Sequence, residues 1–189
     1  MVNEQAVAEA MRAVDRREFL PTGQRRWSDE DRPLPIGHGQ TNSQPRTVVD
    51  MLRLLAPEVG MRVLDVGAGS GWTTALLARL VGPAGSVTGV ELVPALARWG
   101  AENLRRQHTP WAALQLAQRG VLGWPDGAPY DRILVSAGAK EIPQELVEQL
   151  GNDAVMVLVV TGTLLRLQCA GGSEPTVSRH GSYRFVPLC

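Results

Sequence analysis

"VLDVGAGSGW", residues 63–72, is a short apolar run broken by Gly67, Gly69 and Gly71 before a helical pattern begins. Val63, Leu64 and Val66 around Asp65, ending in glycines, predict a buried strand and a tight turn. Glycines at such a turn let the backbone reverse and approach a ligand with no Cβ in the way. The spacing is G-x-G-x-G, not the G-x-G-x-x-G of dinucleotide binders, and the lysine of a phosphate-cradling loop is missing. Twenty residues after Gly71 a second apolar run, "SVTGVEL", ends in Glu91. An acid there can accept hydrogen bonds from two ribose hydroxyls. Asp65, at the end of the first run, can orient the turn or meet a cationic amine. Glycine-rich strand–helix turns also occur in folds that bind nothing, but the acid closing the next strand favours a nucleoside. A nucleoside with an amino-acid portion and no pyrophosphate fits these parts, and S-adenosyl-L-methionine is the candidate cofactor.

Outward from the turn, strands and helices alternate. "WTTALLARLVG" reads as a helix closed by Gly82 and Pro83, and "PALARWGAENLRRQ" as a second helix opened by a proline. "AALQLA" and "YDRILVSAG" are the third and fourth strands, and "PQELVEQL" a helix after them. "AVMVLVV", "TLLRLQC" and "SYRFVPL" complete seven β-runs, the last three partly antiparallel. The pattern predicts an α/β fold, a doubly wound, mostly parallel sheet covered on both faces. Before it, residues 4–14 carry apolar side chains on one helix face, with Asn3 as a candidate cap. A helix opened by Pro45 runs to about Ala56. The expected organisation is one domain over 1–189, an N-terminal helical and loop cap (1–56) on an α/β core (57–189).

Composition limits the partners. Nineteen basic and nineteen acidic side chains give zero formal net charge, so no nucleic acid is expected, and the clusters "RRQH" and "GQRR" read as solvated faces. Cys169 and Cys189 have no metal-ligand spacing, so no metal is expected. The longest apolar run, 154–160, is too short for a bilayer, and the first residues carry no signal-peptide core. The expectation is a cytoplasmic monomer with no membrane partner.

Between 19 and 45 the chain holds four prolines and three glycines, and within it lies "LPIGHGQTNSQP", residues 34–45. Its only titratable group is His38, which reads as a loop-structure residue rather than a base. With "AMRAVDRREFLP", "VLDVGAGSGW", "VEL", "GWPDGAPYDRILVSAGAKEIPQELVEQL" and "YRFVPL", this loop makes the chain resemble the protein-L-isoaspartate O-methyltransferase family over almost its whole length. The resemblance implies a Rossmann-like class I methyltransferase fold and methyl transfer from S-adenosyl-L-methionine, with S-adenosyl-L-homocysteine as product. The implied acceptor is the carboxylate of an L-isoaspartyl residue, whose ester collapses to a succinimide that can reopen correctly. Residue by residue, it implies Ser43 as the active-site hydroxyl with Thr41 beside it, and Gln40 to Ser43 lining cofactor and acceptor. Asp65, Gly67, Ala68, Gly69, Ser70 and Gly71 would hold the methionine part, Glu91 and Leu92 the ribose, and Arg119 and Gly120 would flank the adenine.

Such a reaction explains a loop without acid or base. An acceptor carboxylate, with a pKa near ~4, is already ionised at neutral pH, and the sulfonium methyl needs no activation. Alignment and removal of water can then supply ~7–11 kcal/mol. The N–H groups at the start of the Pro45 helix are expected to favour the acceptor anion.

Several residues depart from the family pattern. Gln118-Arg119 stand where a Gly-Asp contacts the adenine amino group; a guanidinium cannot accept that bond but can stack. Asn42 replaces an apolar residue in the loop, Trp72 a tyrosine, and Asp153-Ala154 a Gly-Gly. Two alternatives follow: the same chemistry on another acceptor, such as an aspartate of a modified peptide, or a cofactor-binding homologue with impaired catalysis.

Overall fold

The computed structural model describes residues 4–171 and 174–188; the candidate cap Asn3 and the second cysteine, Cys189, lie outside them. The chain opens with α1 (Glu4–Ala13), two 3₁₀ turns (Arg16–Phe19 and Thr22–Trp27) and a hairpin, β1 (Leu34–Gly37) with β2 (Gln40–Asn42). Then follow α2 (Pro45–Leu55), β3 (Arg62–Val66), α3 (Trp72–Val81), β4 (Ser86–Glu91), α4 (Pro94–Arg105) and β5 (Ala112–Leu116). The rest is β6 (Tyr130–Ala139), the single turn α5 (Gln144–Val147), β7 (Leu150–Val160), β8 (Thr163–Gln168) and β9 (Thr176–Ser182). Seven strands form one sheet in the order β5-β4-β3-β6-β7-β8-β9, parallel from β5 to β7 and antiparallel thereafter.

Right-handed crossovers explain which side each helix takes. The chain runs outward from β3 through β4 to β5, which puts α3 and α4 on one face. They pack there with α1 and α2 around Val63, Leu134, Val155 and Val157. It then returns to β6 and runs the other way, so α5 and the loops around Leu122 and Trp124 cover Leu64, Ile133, Met156 and Leu158. Helix α3 buries nine of its ten residues, as a helix sandwiched between sheet and cap must, and Gly71 and Gly82 bound it. Helix α2 buries Val48, Met51, Leu52 and Leu55, a single stripe, and stops where Ala56 turns left-handed (φ 54°).

Two expectations change. "PQELVEQL" forms one helical turn, because Leu150 is already the first residue of β7. The final strand is Thr176–Ser182, not "SYRFVPL". The segment after it meets β6 at the bridge Gly138↔Pro187, with the Gly138 N–H donating to the Val186 carbonyl at 2.7 Å and the Leu188 N–H to the Gly138 carbonyl at 2.8 Å. Among the described residues no helix is long and apolar enough to cross a membrane.

Candidate active site

The strand order reverses between β3 and β6, and crevices beyond the C-terminal ends of such strands are where open α/β sheets bind ligands. The glycine turn lies there. Gly67, Gly69 and Gly71 have φ of 79°, 54° and 87°, a region that side-chain-bearing residues avoid. β4 pins the turn: the Gly67 and Ala68 N–H groups both donate to the Val90 carbonyl, at 2.9 and 3.0 Å. Glu91, nearly buried, accepts from the Gly69 N–H through one oxygen and from the Val93 N–H through the other, both at 2.8 Å. Each oxygen keeps one lone-pair direction for a ribose hydroxyl.

Asp65 is fully buried. Its Oδ2 accepts from the Thr73 and Thr74 hydroxyls at 2.7 Å each, while Oδ1 makes no well-formed hydrogen bond among the described residues, the Ser136 hydroxyl being its neighbour. Burial raises its pKa from 3.8 to about 6; the Thr73, Thr74 and Ser136 hydroxyls oppose the shift and the Glu91 charge adds to it. A buried carboxylate oxygen without a well-formed hydrogen bond is costly. The α-ammonium of S-adenosyl-L-methionine is the donor that would satisfy it, so the residues present fit the cofactor.

The β1–β2 hairpin closes over this turn. Gly37, His38 and Gly39 all have positive φ, so His38 is an exposed turn residue. Leu34 and Ile36 are buried with Leu20 and Leu96, and Ile36 Cδ1 lies 3.2 Å from where a Cβ on Gly69 would sit. Two cavities meet beneath the hairpin. A narrow one is lined by Thr41, Asn42, Ser43, Gly67 to Ser70, Trp72, Thr73 and Ser136. A groove of about 430 Å³ runs outward between α2 and the segment after β9, past Arg46, Asp50, Tyr183 and Phe185. Thr41, Ser43 and Ser136 line both cavities. Tyr183 donates to Asp50 Oδ2 at 2.9 Å, tying the outer wall to α2; burial first and Asp50 second raise its pKa.

The sequence expectation for the helix start is corrected here. In the first turn of α2 the Arg46 N–H is used by the protein's own Asp31, which accepts from it at 2.9 Å and from Gln44 Nε2 at 3.0 Å. Those two bonds, backbone first, hold the Asp31 carboxyl below its usual pKa. Asp31→Ala should therefore speed amide hydrogen exchange at Arg46 by roughly tenfold, through loss of an N-terminal cap. Unchanged exchange would show that the helix start needs no anion. Leu92 is 38% exposed, and Arg119 and Gly120 lie exposed on the turn after β5, so no stacked guanidinium is preformed. Ser136 was not singled out from the sequence. Its signal was present: a hydroxyl interrupting the apolar run "RILVSAG" at the C-terminal end of a central strand.

This fold and turn define a class I S-adenosyl-L-methionine-dependent methyltransferase. The sequence profile of the family described as protein-L-isoaspartate(D-aspartate) O-methyltransferase matches residues 1–189, and the chain belongs to that family. A protein-L-isoaspartate O-methyltransferase of Methanopyrus kandleri is 42% identical over 191 residues, covering 99% of this chain and 84% of its own length. Those of Aeropyrum pernix (48%, covering 85% and 62%) and Methanothrix thermoacetophila (46%, covering 96% and 87%) are similar. A solved protein-L-isoaspartate O-methyltransferase superimposes with TM-score 0.86 at 24% identity, over 97% of this chain and 61% of that one. A Plasmodium falciparum protein solved in complex with S-adenosyl-L-homocysteine does so with TM-score 0.82 at 23% identity, over 100% and 92%. The chain is an enzyme of this family that uses S-adenosyl-L-methionine.

Proposed function

We propose that the protein methylates the carboxylate of L-isoaspartyl residues in damaged proteins or peptides. The observation that carries this is the wall of three hydroxyls, Thr41, Ser43 and Ser136, shared by the cavity at the glycine turn and the outer groove. The bound cofactor supplies an electrophilic methyl group on a sulfonium and leaves as the neutral thioether S-adenosyl-L-homocysteine. The acceptor oxygen forms the new C–O bond as the C–S bond breaks, and no proton moves, so the site needs no base. Ser43 and its neighbours donate hydrogen bonds that hold the carboxylate in line, and the hairpin excludes water. Asp65 holds the ammonium end, Glu91 with Leu92 the ribose, and Arg119 and Gly120 border the adenine.

Asn42, the amide that departs from the family pattern in this loop, is buried and bonded to Arg16 and Ser70, which supports reading it as part of the cofactor side rather than as an added acceptor contact. We read the chain as one methyltransferase domain with residues 1–56 as its cap, acting as a cytoplasmic monomer without nucleic-acid partners. Support comes from the balanced charge and the shared core of α1 to α4.

The test uses methyl-labelled cofactor and two peptides differing only in an L-isoaspartyl or L-aspartyl linkage. Base-labile label on the first alone is expected; label on neither, with cofactor bound, would reject this acceptor. Ser43→Ala should lower kcat/KM for the peptide about tenfold, the worth of one hydrogen bond to a charged group, without changing cofactor affinity. An unchanged kcat/KM would remove Ser43 from the acceptor clamp.

A further inference from the structure

Arg16 is the most heavily bonded side chain of the cap, and it is buried. Its Nη1 donates to the Ser28 and Glu30 carbonyls (3.2 and 2.9 Å), and its Nη2 to those of Arg32, Asn42 and Ser43 (2.8, 3.3 and 2.9 Å). Its Nε donates to Asn42 Oδ1 at 2.7 Å, and the guanidinium lies 5.3 Å from the ring centre of Trp72. Guanidinium has only donors, so it fixes which end of the Asn42 amide faces it. The carboxamide oxygen must point to Arg16, and Nδ2 must point away. It donates to Ser70 Oγ at 3.2 Å. Ser70, 2% exposed, sits in the glycine turn, and its own carbonyl is held by Asn103 Nδ2 at 3.1 Å.

A serine hydroxyl that accepts from an amide keeps its single proton for another acceptor. Among the described residues no acceptor is recorded for the Ser70 hydroxyl, and Ser70 and Asn42 both line the narrow cavity. The chain of bonds therefore has one direction: from the buried cation, through Asn42, to a hydroxyl whose proton is free at the cofactor side. Burial in a low-dielectric setting strengthens such a polarised chain. An apolar side chain at position 42 could not impose that direction.

We propose that Asn42 is a positioning residue: through Ser70 it presents a donor to the anionic carboxylate of the cofactor's amino-acid end, and so locks the acceptor loop to the occupied glycine turn. This rests on the reading that the turn holds the methionine part of S-adenosyl-L-methionine. One buried contact joins the loop carrying Thr41 and Ser43 to the turn carrying the cofactor, so each site is ordered by the other.

The test compares two ligands by calorimetry on the full chain: S-adenosyl-L-homocysteine, which has the amino-acid end, and 5′-methylthioadenosine, which lacks it. Asn42→Leu should weaken the first about fivefold and the second less than twofold, the scale of one neutral hydrogen bond. Asn42→Asp has the same shape and keeps its bond to Arg16, but it accepts the Ser70 proton instead of donating to Ser70. Its loss for S-adenosyl-L-homocysteine should be larger, again without loss for methylthioadenosine. In a Ser70→Ala background Asn42→Leu should add nothing. Equal weakening of both ligands, no weakening, or additivity with Ser70→Ala would each overturn the proposal, because a merely structural residue cannot discriminate the ligands. Wild-type protein that fails to bind S-adenosyl-L-homocysteine would instead reject the assignment of the turn itself.

Discussion

Asp65→Asn is expected to raise the dissociation constant for S-adenosyl-L-methionine about 100-fold at pH 7, while leaving the protein folded. The carboxylate is fully buried, and among the described residues Oδ1 makes no well-formed hydrogen bond, with only the Ser136 hydroxyl near it, so its charge is the feature that an incoming ammonium would satisfy. Removing one member of a buried charge pair is among the costlier single changes, on the order of 3–5 kcal/mol, part of which the amide recovers by hydrogen bonding. The pH dependence follows from the raised pKa. In the unfolded chain the group ionises at 3.8, in the folded protein at about 6. Its contribution to stability is thus fully present below 3.8 and is lost as the pH rises through 6. The loss is on the order of 3 kcal/mol for this group alone. The cofactor opposes it, since the ammonium favours the ionised form. Wild-type affinity should accordingly fall as the pH drops below about 6, approaching tenfold per unit, with a proton released on binding near that pH. Asp65→Asn should lose both that slope and the decline in stability between pH 4 and 6. A wild-type affinity that is flat from pH 5 to 8 would remove Asp65 from the ammonium site.

Gly100→Ala should be nearly as damaging, from a position outside every motif. Gly100 lies mid-helix in α4, buried, where alanine would ordinarily gain ~1 kcal/mol in helix propensity. A Cβ there would sit 2.7 Å from Leu114 Cδ1, 2.8 Å from the Gly69 carbonyl oxygen and 3.2 Å from the Ser70 carbonyl carbon. The leucine can turn aside; the glycine-turn backbone, pinned to β4 by Val90 and Glu91, cannot move without breaking those bonds. Overpacking of this kind costs ~1–3 kcal/mol, which exceeds the propensity gain. The melting temperature should fall by several degrees, and cofactor affinity by at least ~10-fold as the turn is pushed into its own cavity. Gly23→Ala, where an added Cβ would meet no heavy atom within 4 Å among the described residues beyond its chain neighbours, is the matched control and should change neither. A Gly100→Ala enzyme with normal affinity would show that the turn tolerates displacement.

The elements themselves were readable because their signals are local. Helix α2 is announced by proline at its start and by Val48, Val49, Leu52 and Leu55, of which 48, 52 and 55 are buried, with Met51 taking the place expected of the half-buried Val49. The turn between β3 and α3 is written in three glycines, and Glu91 closes β4 as its spacing requires. Where the reading erred, a local signal was ambiguous. "SYRFVPL" has the apolar residues of a strand, yet the antiparallel ladder to β8 ends at Ser182, and the following segment crosses to β6. Likewise the apolar spacing of "PQELVEQL" carries on into β7.

The amino-acid sequence by itself determined the class of fold, the glycine turn, the acid of the second strand and the loop that needs no base. Each of these depends on neighbours within one turn, strand or helix. Only the tertiary structure decided what polar groups do once several elements bury them together. Asp31 reaches fifteen residues along to cap α2, and so takes a place that spacing alone left open for the substrate. Asn42 spans twenty-eight residues to Ser70 and twenty-six to Arg16. The direction of an amide, the poorly bonded oxygen of a carboxylate and the room for a single Cβ are all set by which distant side chains share the same dry volume. No repeat or spacing along the chain encodes that.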